Sequence, residues 1–388
     1  MRDLVQRIDS ATPAGRDRTI DALRALAILG VVLGHWLVTA LVVDSGTVHG
    51  ASPLRHLPQL APVSWVFQTL AVFFLVGGQT AAHGYAAARG RGETYRRWLG
   101  ARMARLFRPV AAVLVVWSVV AALMLASGAG VETVRTLAML VLSPLWFLLV
   151  FAVLTAVTPL VARLHPLWAL AVVLHVDLVR FGLGGPAWLG WINVLAGWLV
   201  PYCLGVSWAR GGLRERRTGW ALLAGGAATT AGLVLWGGYP AAMVGVPGAG
   251  ISNLNPPTLA AVCFGLAQCG AALLVRDRLR RVLRRPAVWA AVALLNLSAM
   301  TVFLWHQTAM MAVTAVGLLA GRPLPGLHTA PDGVGWVLAR LGWLPVFAGA
   351  LLVCWAAFRT YEQGRRASRG GSRVVREQRS VPVTMGRG

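Results

Sequence analysis

Three ionisable side chains share one apolar stretch near the start of the chain. Residues 20–43 read IDALRALAILGVVLGHWLVTALVV, with Asp21 and Arg24 at the entrance and His35 near the middle. Arg24 and His35 are eleven residues apart. At about 100° per residue this is three turns plus roughly 20°, so one helix face carries both, about 16 Å apart along the axis. Asp21, Ala27 and Val31 fall near the same stripe, with Gly34 at its margin. A bilayer core is crossed by roughly 20 apolar residues of helix, and ionisable groups at that depth point to function by default. An imidazole there is the usual base for taking a proton from a hydroxyl nucleophile. The plain alternative is a histidine bonded to a neighbouring helix for packing. Arg24 reads as a phosphate contact or an orienting partner, braced by Asp21 three residues earlier, or else as ordinary snorkelling.

Further candidates lie downstream. Arg102, Arg105 and Arg108 recur every three residues and are expected to line one side of a short cytosolic helix that stops at Pro109. A guanidinium row suits phosphates, or simply marks a cytosolic loop. His306 sits beside Trp305 and Gln307 in a late apolar span. It reads as a donor to an oxyanion, as the group that holds His35 in one tautomer, or as a structural hydrogen bond. His175, Asp177 and Arg180 cluster toward the outer end of another span. Asp177 and Arg180 either neutralise each other or contact a polar acceptor entering from outside. His49, His56, His83, His165 and His328 lack metal-ligand spacing, and Cys203, Cys263, Cys269 and Cys354 read as small buried residues.

These residues carry a resemblance. Asp21-Ala-Leu-Arg24-Ala-Leu-Ala followed by His35 is similar to the first helix of the membrane acyltransferase-3 family, an arginine and a histidine separated by ten residues. Phe73-Phe74-Leu-Val-Gly77-Gly78 resembles that family's FFxxSG segment, and Arg102-Met-Ala-Arg105-Leu-Phe-Arg108-Pro109 its RxxR loop. Leu145-Trp146-Phe147 is similar to its LWFL-type segment, and Ser298 with Phe303-Leu-Trp-His306 to its late S…Y-x-x-H-like segment. Gly77 stands where the family usually has Ser and Phe303 where Tyr is common, so neither inherits a role. The matches run in order from Asp21 to His306.

The resemblance implies an integral membrane O-acyltransferase. Acyl-CoA, acetyl-CoA foremost, would be the co-substrate, docked on Arg102, Arg105 and Arg108, with no metal. His35 would serve as general base or acyl carrier, with Arg24 and His306 beside it. Asp177 and Arg180 would meet the acceptor, a hydroxyl of a carbohydrate, glycolipid or other envelope or secondary-metabolite molecule. The rival class is a transporter or exporter of a polar or lipid-linked solute, which equally explains intramembrane Arg and His. A transporter moves its substrate unchanged, whereas the acyltransferase leaves CoA with a free thiol.

The elements that must position these groups are membrane helices. The 388 residues are 57% hydrophobic and 13% charged, which excludes an ordinary soluble domain. A formal net charge of +23 would suggest nucleic acid in a soluble protein. Here the basic residues, all Arg, cluster between apolar spans, as the positive-inside rule requires. Ten spans are expected, near 20–43, 62–87, 107–127, 138–161, 166–182, 188–208, 219–238, 257–275, 287–319 and 334–358, with both ends cytosolic. The ninth is long enough to be tilted or broken.

The fold class expected is thus an all-α polytopic bundle in three parts: a cytosolic tail 1–19, a transmembrane domain 20–360, and a basic tail 361–388. That last tail is expected to be disordered and held near anionic headgroups. The first tail lacks the apolar core of a signal peptide. Residues 237–257 are uncharged and rich in Gly, Pro and Asn, so an ordered, turn-rich cap is expected outside. Trp188, Trp191 and Trp198 fit an interfacial belt. Expected partners are the acyl donor, the acceptor and membrane lipids, not nucleic acid, and the expected location is a bacterial cytoplasmic membrane.

Overall fold

A computed structural model describes residues 2–13, 15–44 and 47–363; of the tail expected to be disordered, everything from Gly364 on lies outside them. The first apolar stretch forms helix α2 (Arg18–Val38), preceded by a short α1 (Arg2–Ser10). Asp17 caps α2 by accepting from the Thr19 amide, which satisfies one of the free N–H groups of the first turn. The helix ends at Val38 and does not run on to Val43 as expected. Ala40–Asp44 is instead a strand, β1, paired antiparallel with β2 (Thr47–Ala51), so that Ala40 opposes Ala51 and Val43 opposes Val48. Thr39, Val42 and Val43 are β-branched and suit a pleated strand, and an apolar run alone does not separate strand from helix.

The helices that follow are α3 (Leu70–Gly90), α4 (Tyr95–Ala126), α5 (Val131–Leu142) and α6 (Leu145–Ala156). Then come α7 (Pro166–Asp177), α8 (Ile192–Ala209), α9 (Arg216–Leu235) and α10 (Leu259–Val282). The last three are α11 (Pro286–Leu297), α12 (Ala299–Gly317) and α13 (Val334–Gln363). One further expectation is corrected. The arginine-bearing helix does not stop at Pro109; α4 runs through it to Ala126. Proline removes a single backbone bond, and membrane helices tolerate this where neighbouring groups or water satisfy the freed carbonyl. The ninth expected span is broken, with Ser298 between α11 and α12 accepting from Trp355 Nε1 at 2.6 Å.

Eight helical segments among the described residues are long and apolar enough to cross a membrane, so the chain is a polytopic helical membrane protein. The second and fifth expected spans correspond to α3 and α7, which do not meet that standard. α3 carries Gln79, Thr80, His83 and Arg89, and α7 has only 12 residues. Leu123, Leu352 and Val353 lie exposed on the outside of the bundle, a surface that lipid chains would cover. Inside, α3 crosses α8 at Gly78 and Gly205, where an added Cβ would run into the backbones of Tyr202 and Leu75. Such close approach is what drives helix pairing where the solvent is itself apolar.

Loops that the charge rule assigns to one side of the bilayer meet at one end of the bundle. Trp289 Nε1 donates to Thr12 Oγ1 at 2.8 Å, Tyr95 Oη to Ala156 O at 2.5 Å, and Arg210 to Ala162 O. At the other end, Val48 N donates to Thr133 Oγ1 at 3.2 Å and Trp65 Nε1 to Ala241 O at 2.7 Å. Reporter fusions after Gly90 and Gly212 are therefore expected to read cytosol, and a fusion near Gly248 the outside. Gly212 and Gly248 reporting the same side would remove this topology.

Candidate active site

α2 brings His35 into the bundle one turn before its end. His35 Nδ1 lies 2.7 Å from Nε2 of His306 on α12. The ring planes differ by 16° with centroids 5.0 Å apart, so the imidazoles meet edge to edge, as a ring-to-ring N–H···N bond requires. A nearby carbonyl places the protons. His306 Nδ1 is 2.5 Å from Phe303 O, and a carbonyl can only accept. His306 Nδ1 therefore carries a proton, and in the neutral pair its Nε2 is an acceptor. His35 Nδ1–H donates to it, which leaves a free lone pair on His35 Nε2. In this arrangement the His306 bond fixes the tautomer of His35 and at the same time joins α2 to α12.

The pair is stitched from several sides. Trp36 Nε1 donates to His306 O at 2.9 Å. Arg340 on α13, a residue that spacing does not reveal, is 1% exposed. Its Nε and Nη2 donate to Trp36 O and Thr39 O, each at 2.6 Å, and its Nη1 to Gly326 O at 2.8 Å. Nη2 also lies 2.8 Å from Met310 Sδ, one turn beyond His306.

His35 opens onto a cavity of about 360 Å³. Its walls come from Gly34 on α2, Ser64, the segment Phe67 to Leu70, Trp146 and Phe147 on α6, Phe303 and Gln307 on α12, and Val244 and Asn255 of the cap. The cap is ordered about Asn253, whose Nδ2 donates to Pro240 O at 2.5 Å and Ala242 O at 3.1 Å. Its Oδ1 accepts from Thr258 Oγ1 at 2.6 Å. Below the cavity, Phe73 packs edge-on against Phe147 at 4.8 Å and Phe151 at 5.3 Å. That cluster explains Gly77, because a Cβ there would meet the Phe151 ring.

Toward the other end of α2, Asp21 serves Arg16 before Arg24. Arg16 Nε and Nη2 reach its two oxygens at 2.6 and 3.1 Å, whereas Arg24 Nη1 stands 3.8 Å away. Arg102 is half-buried beside α3. It donates to Thr80 O at 3.3 Å, covers the Trp98 ring at 5.3 Å, and lies within electrostatic reach of Arg24 and Tyr202. Arg105 and Arg108 are exposed. Steps of three residues each fall about 60° short of a turn, so the row winds away from the face of Arg102. Arg102 is thus the half-buried member of the row, within electrostatic reach of Arg24 as well as Arg105, while Arg105 and Arg108 are exposed.

Asp177 and Arg180, expected at the acceptor, do not line this cavity. Asp177 accepts from Asn193 Nδ2 at 2.9 Å, Tyr239 Oη at 3.0 Å and the Leu259 amide at 2.7 Å. Its carboxylate is consumed in pinning α8, the cap and the start of α10 to α7. Arg180 sits 3.9 Å from it, over the Phe181 ring.

A family model described as an acyltransferase domain, Acyl_transf_3, matches residues 17–359. No curated protein and no solved structure matches the chain.

Proposed function

Because the chain belongs to the acyltransferase-3 family, and is on that ground a membrane acyltransferase, we propose that it moves an acyl group from cytosolic acyl-CoA to a hydroxyl of a carbohydrate, glycolipid or other envelope molecule. A bacterial cytoplasmic membrane is the setting we infer for it. The observation that carries the reading is the free Nε2 of His35 at the wall of a cavity, backed by His306. His35 Nε2 takes the proton of the acceptor hydroxyl as its oxygen attacks the thioester carbonyl. The C–S bond breaks, and the thiolate leaves with that proton as CoA–SH. The imidazolium formed in between is stabilised by its Nδ1–H bond to His306, whose own proton rests on Phe303 O. A route in which the acyl group first bonds to His35 uses the same lone pair.

The donor is read as docking at the arginine end of α2, with Arg24 and Arg102 on its phosphates and Arg105 and Arg108 at the rim. Arg102 matters most in this reading because it alone of the three is half-buried, within electrostatic reach of Arg24. Arg102→Ala is expected to weaken acetyl-CoA binding about 10–100-fold, the loss of one charge-assisted contact worth roughly 1.5–3 kcal/mol. Arg102→Lys should recover only part, since an ammonium cannot make the two-pronged contact. Isothermal titration of purified protein measures both. Unchanged affinity in a folded Arg102→Ala protein removes the donor site from this helix. A solute carried across vesicles unchanged, without CoA thiol release, would favour the transporter class.

A further inference from the structure

We infer that Gln307 is the specificity residue of the His35 cavity, and that the cavity takes one uncharged, ring-sized unit bearing a second hydroxyl beside the one that reacts. This rests on the acyltransferase reading of the same site. Gln307 follows His306 directly on α12, is 3% exposed and lines the cavity with His35. Its Oε1 is buried with no hydrogen-bond partner. Three other polar groups of the wall are already engaged. Ser64 Oγ donates to Ala61 O at 2.6 Å, Thr69 Oγ1 to Ala27 O at 2.7 Å, and Gln68 Oε1 accepts from the Leu70 amide at 3.1 Å. A buried amide oxygen without a donor costs about 1–3 kcal/mol, so its retention points to a donor supplied by a ligand. An amide oxygen accepts from O–H or N–H, and a neighbouring hydroxyl is the group that an acceptor alcohol brings with it.

The remaining walls set the class. Apart from His35, no ionisable side chain among the described residues lines the cavity, so a carboxylate or phosphate on this unit would enter without a counter-charge, at high desolvation cost. Phe67, Trp146, Phe147 and Phe303 supply flat apolar faces, against which the C–H side of a saturated ring packs. A volume of about 360 Å³ is at the small end of ligand pockets, which suits one ring better than several.

The test uses purified full-length protein with acetyl-CoA and three simple probes: trans-1,2-cyclohexanediol, cyclohexanol and trans-2-hydroxycyclohexanecarboxylate. Binding is followed by calorimetry and turnover by CoA thiol release. The wild type is expected to prefer the diol to the mono-alcohol by about 10–100-fold in kcat/KM and in affinity, and to reject the carboxylate. Gln307→Met, close in volume but without the acceptor oxygen, should bring that ratio to within about threefold of unity. Thermal stability should be unchanged or raised, because an unsatisfied buried oxygen has been removed. A merely structural Gln307 predicts lowered stability and an unchanged ratio. Equal use of diol and mono-alcohol by the wild type, no saturable diol binding, or an unaltered ratio in Gln307→Met overturns the inference. Diol binding that depends on Gln307 but yields no CoA thiol supports the inference and overturns the enzyme reading instead.

Discussion

His35→Gln is expected to lower acyl transfer by about 10²–10⁴-fold, the usual loss when a general base is removed, while acyl-CoA binding and folding stay near wild type. Glutamine is the informative replacement because of the geometry of the pair. Its amide N–H can still donate toward His306 Nε2, where the imidazole donates across 2.7 Å, so the packing contact survives. What it lacks is the lone pair of Nε2 that takes a proton. His35→Ala should be as inactive and also less stable, because it leaves His306 Nε2 buried without its donor. Arg24 lies about three turns away along α2 and the other donor arginines lie on α4, so neither change should touch acyl-CoA affinity. The measurement is CoA release with acylated product, alongside calorimetric binding and thermal unfolding. A stable His35→Gln protein that retains wild-type turnover would sink the base role and leave His35 as a packing residue.

The parts of this site that follow from local periodicity were legible in the chain, and those that depend on distant partners were not. Arg24 and His35 declare themselves because both lie on one helix, where an eleven-residue interval fixes their relative direction. The His35–His306 contact spans 271 positions, and only a resemblance in motif order singled out His306 beforehand. Asp177 and Arg180 read correctly as a neighbouring pair, yet the carboxylate's other partners come from 16, 62 and 82 residues away and change its meaning. The end of α2 was hidden because apolar residues suit strand and helix alike, and Val42 and Val43 continue the hydrophobic run. Proline at 109 signals a stop in water but only a missing bond in a long membrane helix. Gln307 gives no local sign at all, since an amide beside a histidine says nothing about whether its oxygen has a partner.

Arg340 is the clearest case of a residue whose importance lies entirely in the assembled fold, and its removal should be the most destabilising single change near the site. Its sequence neighbourhood, a lone arginine in an apolar segment, gives no sign of a role. In the structure its donors meet the carbonyls of Trp36, Thr39 and Gly326, and its guanidinium covers the Phe347 ring at 4.7 Å. Trp36 and Thr39 belong to the last turn and cap of α2, whose carbonyls have no amide left to accept from. A cation there also answers the negative end of the helix dipole. Arg340→Met would leave three carbonyls without donors at about 1–3 kcal/mol each, so a loss of roughly 3–5 kcal/mol is expected after partial relaxation. Arg340→Lys, able to reach only some of them, should fall between. The same bonds hold the turn that carries His35, and displacements of about 1 Å at a reacting group can cost roughly 10²-fold in rate. Acyl transfer per folded molecule should therefore drop in Arg340→Met while acyl-CoA affinity holds. Thermal unfolding in detergent and single-turnover CoA release measure the two effects separately. Wild-type stability in Arg340→Met would mean that the end of α2 is secured without this arginine. Lost stability with unchanged turnover per folded molecule would confine Arg340 to holding the fold and leave the alignment of His35 to His306 and Trp36.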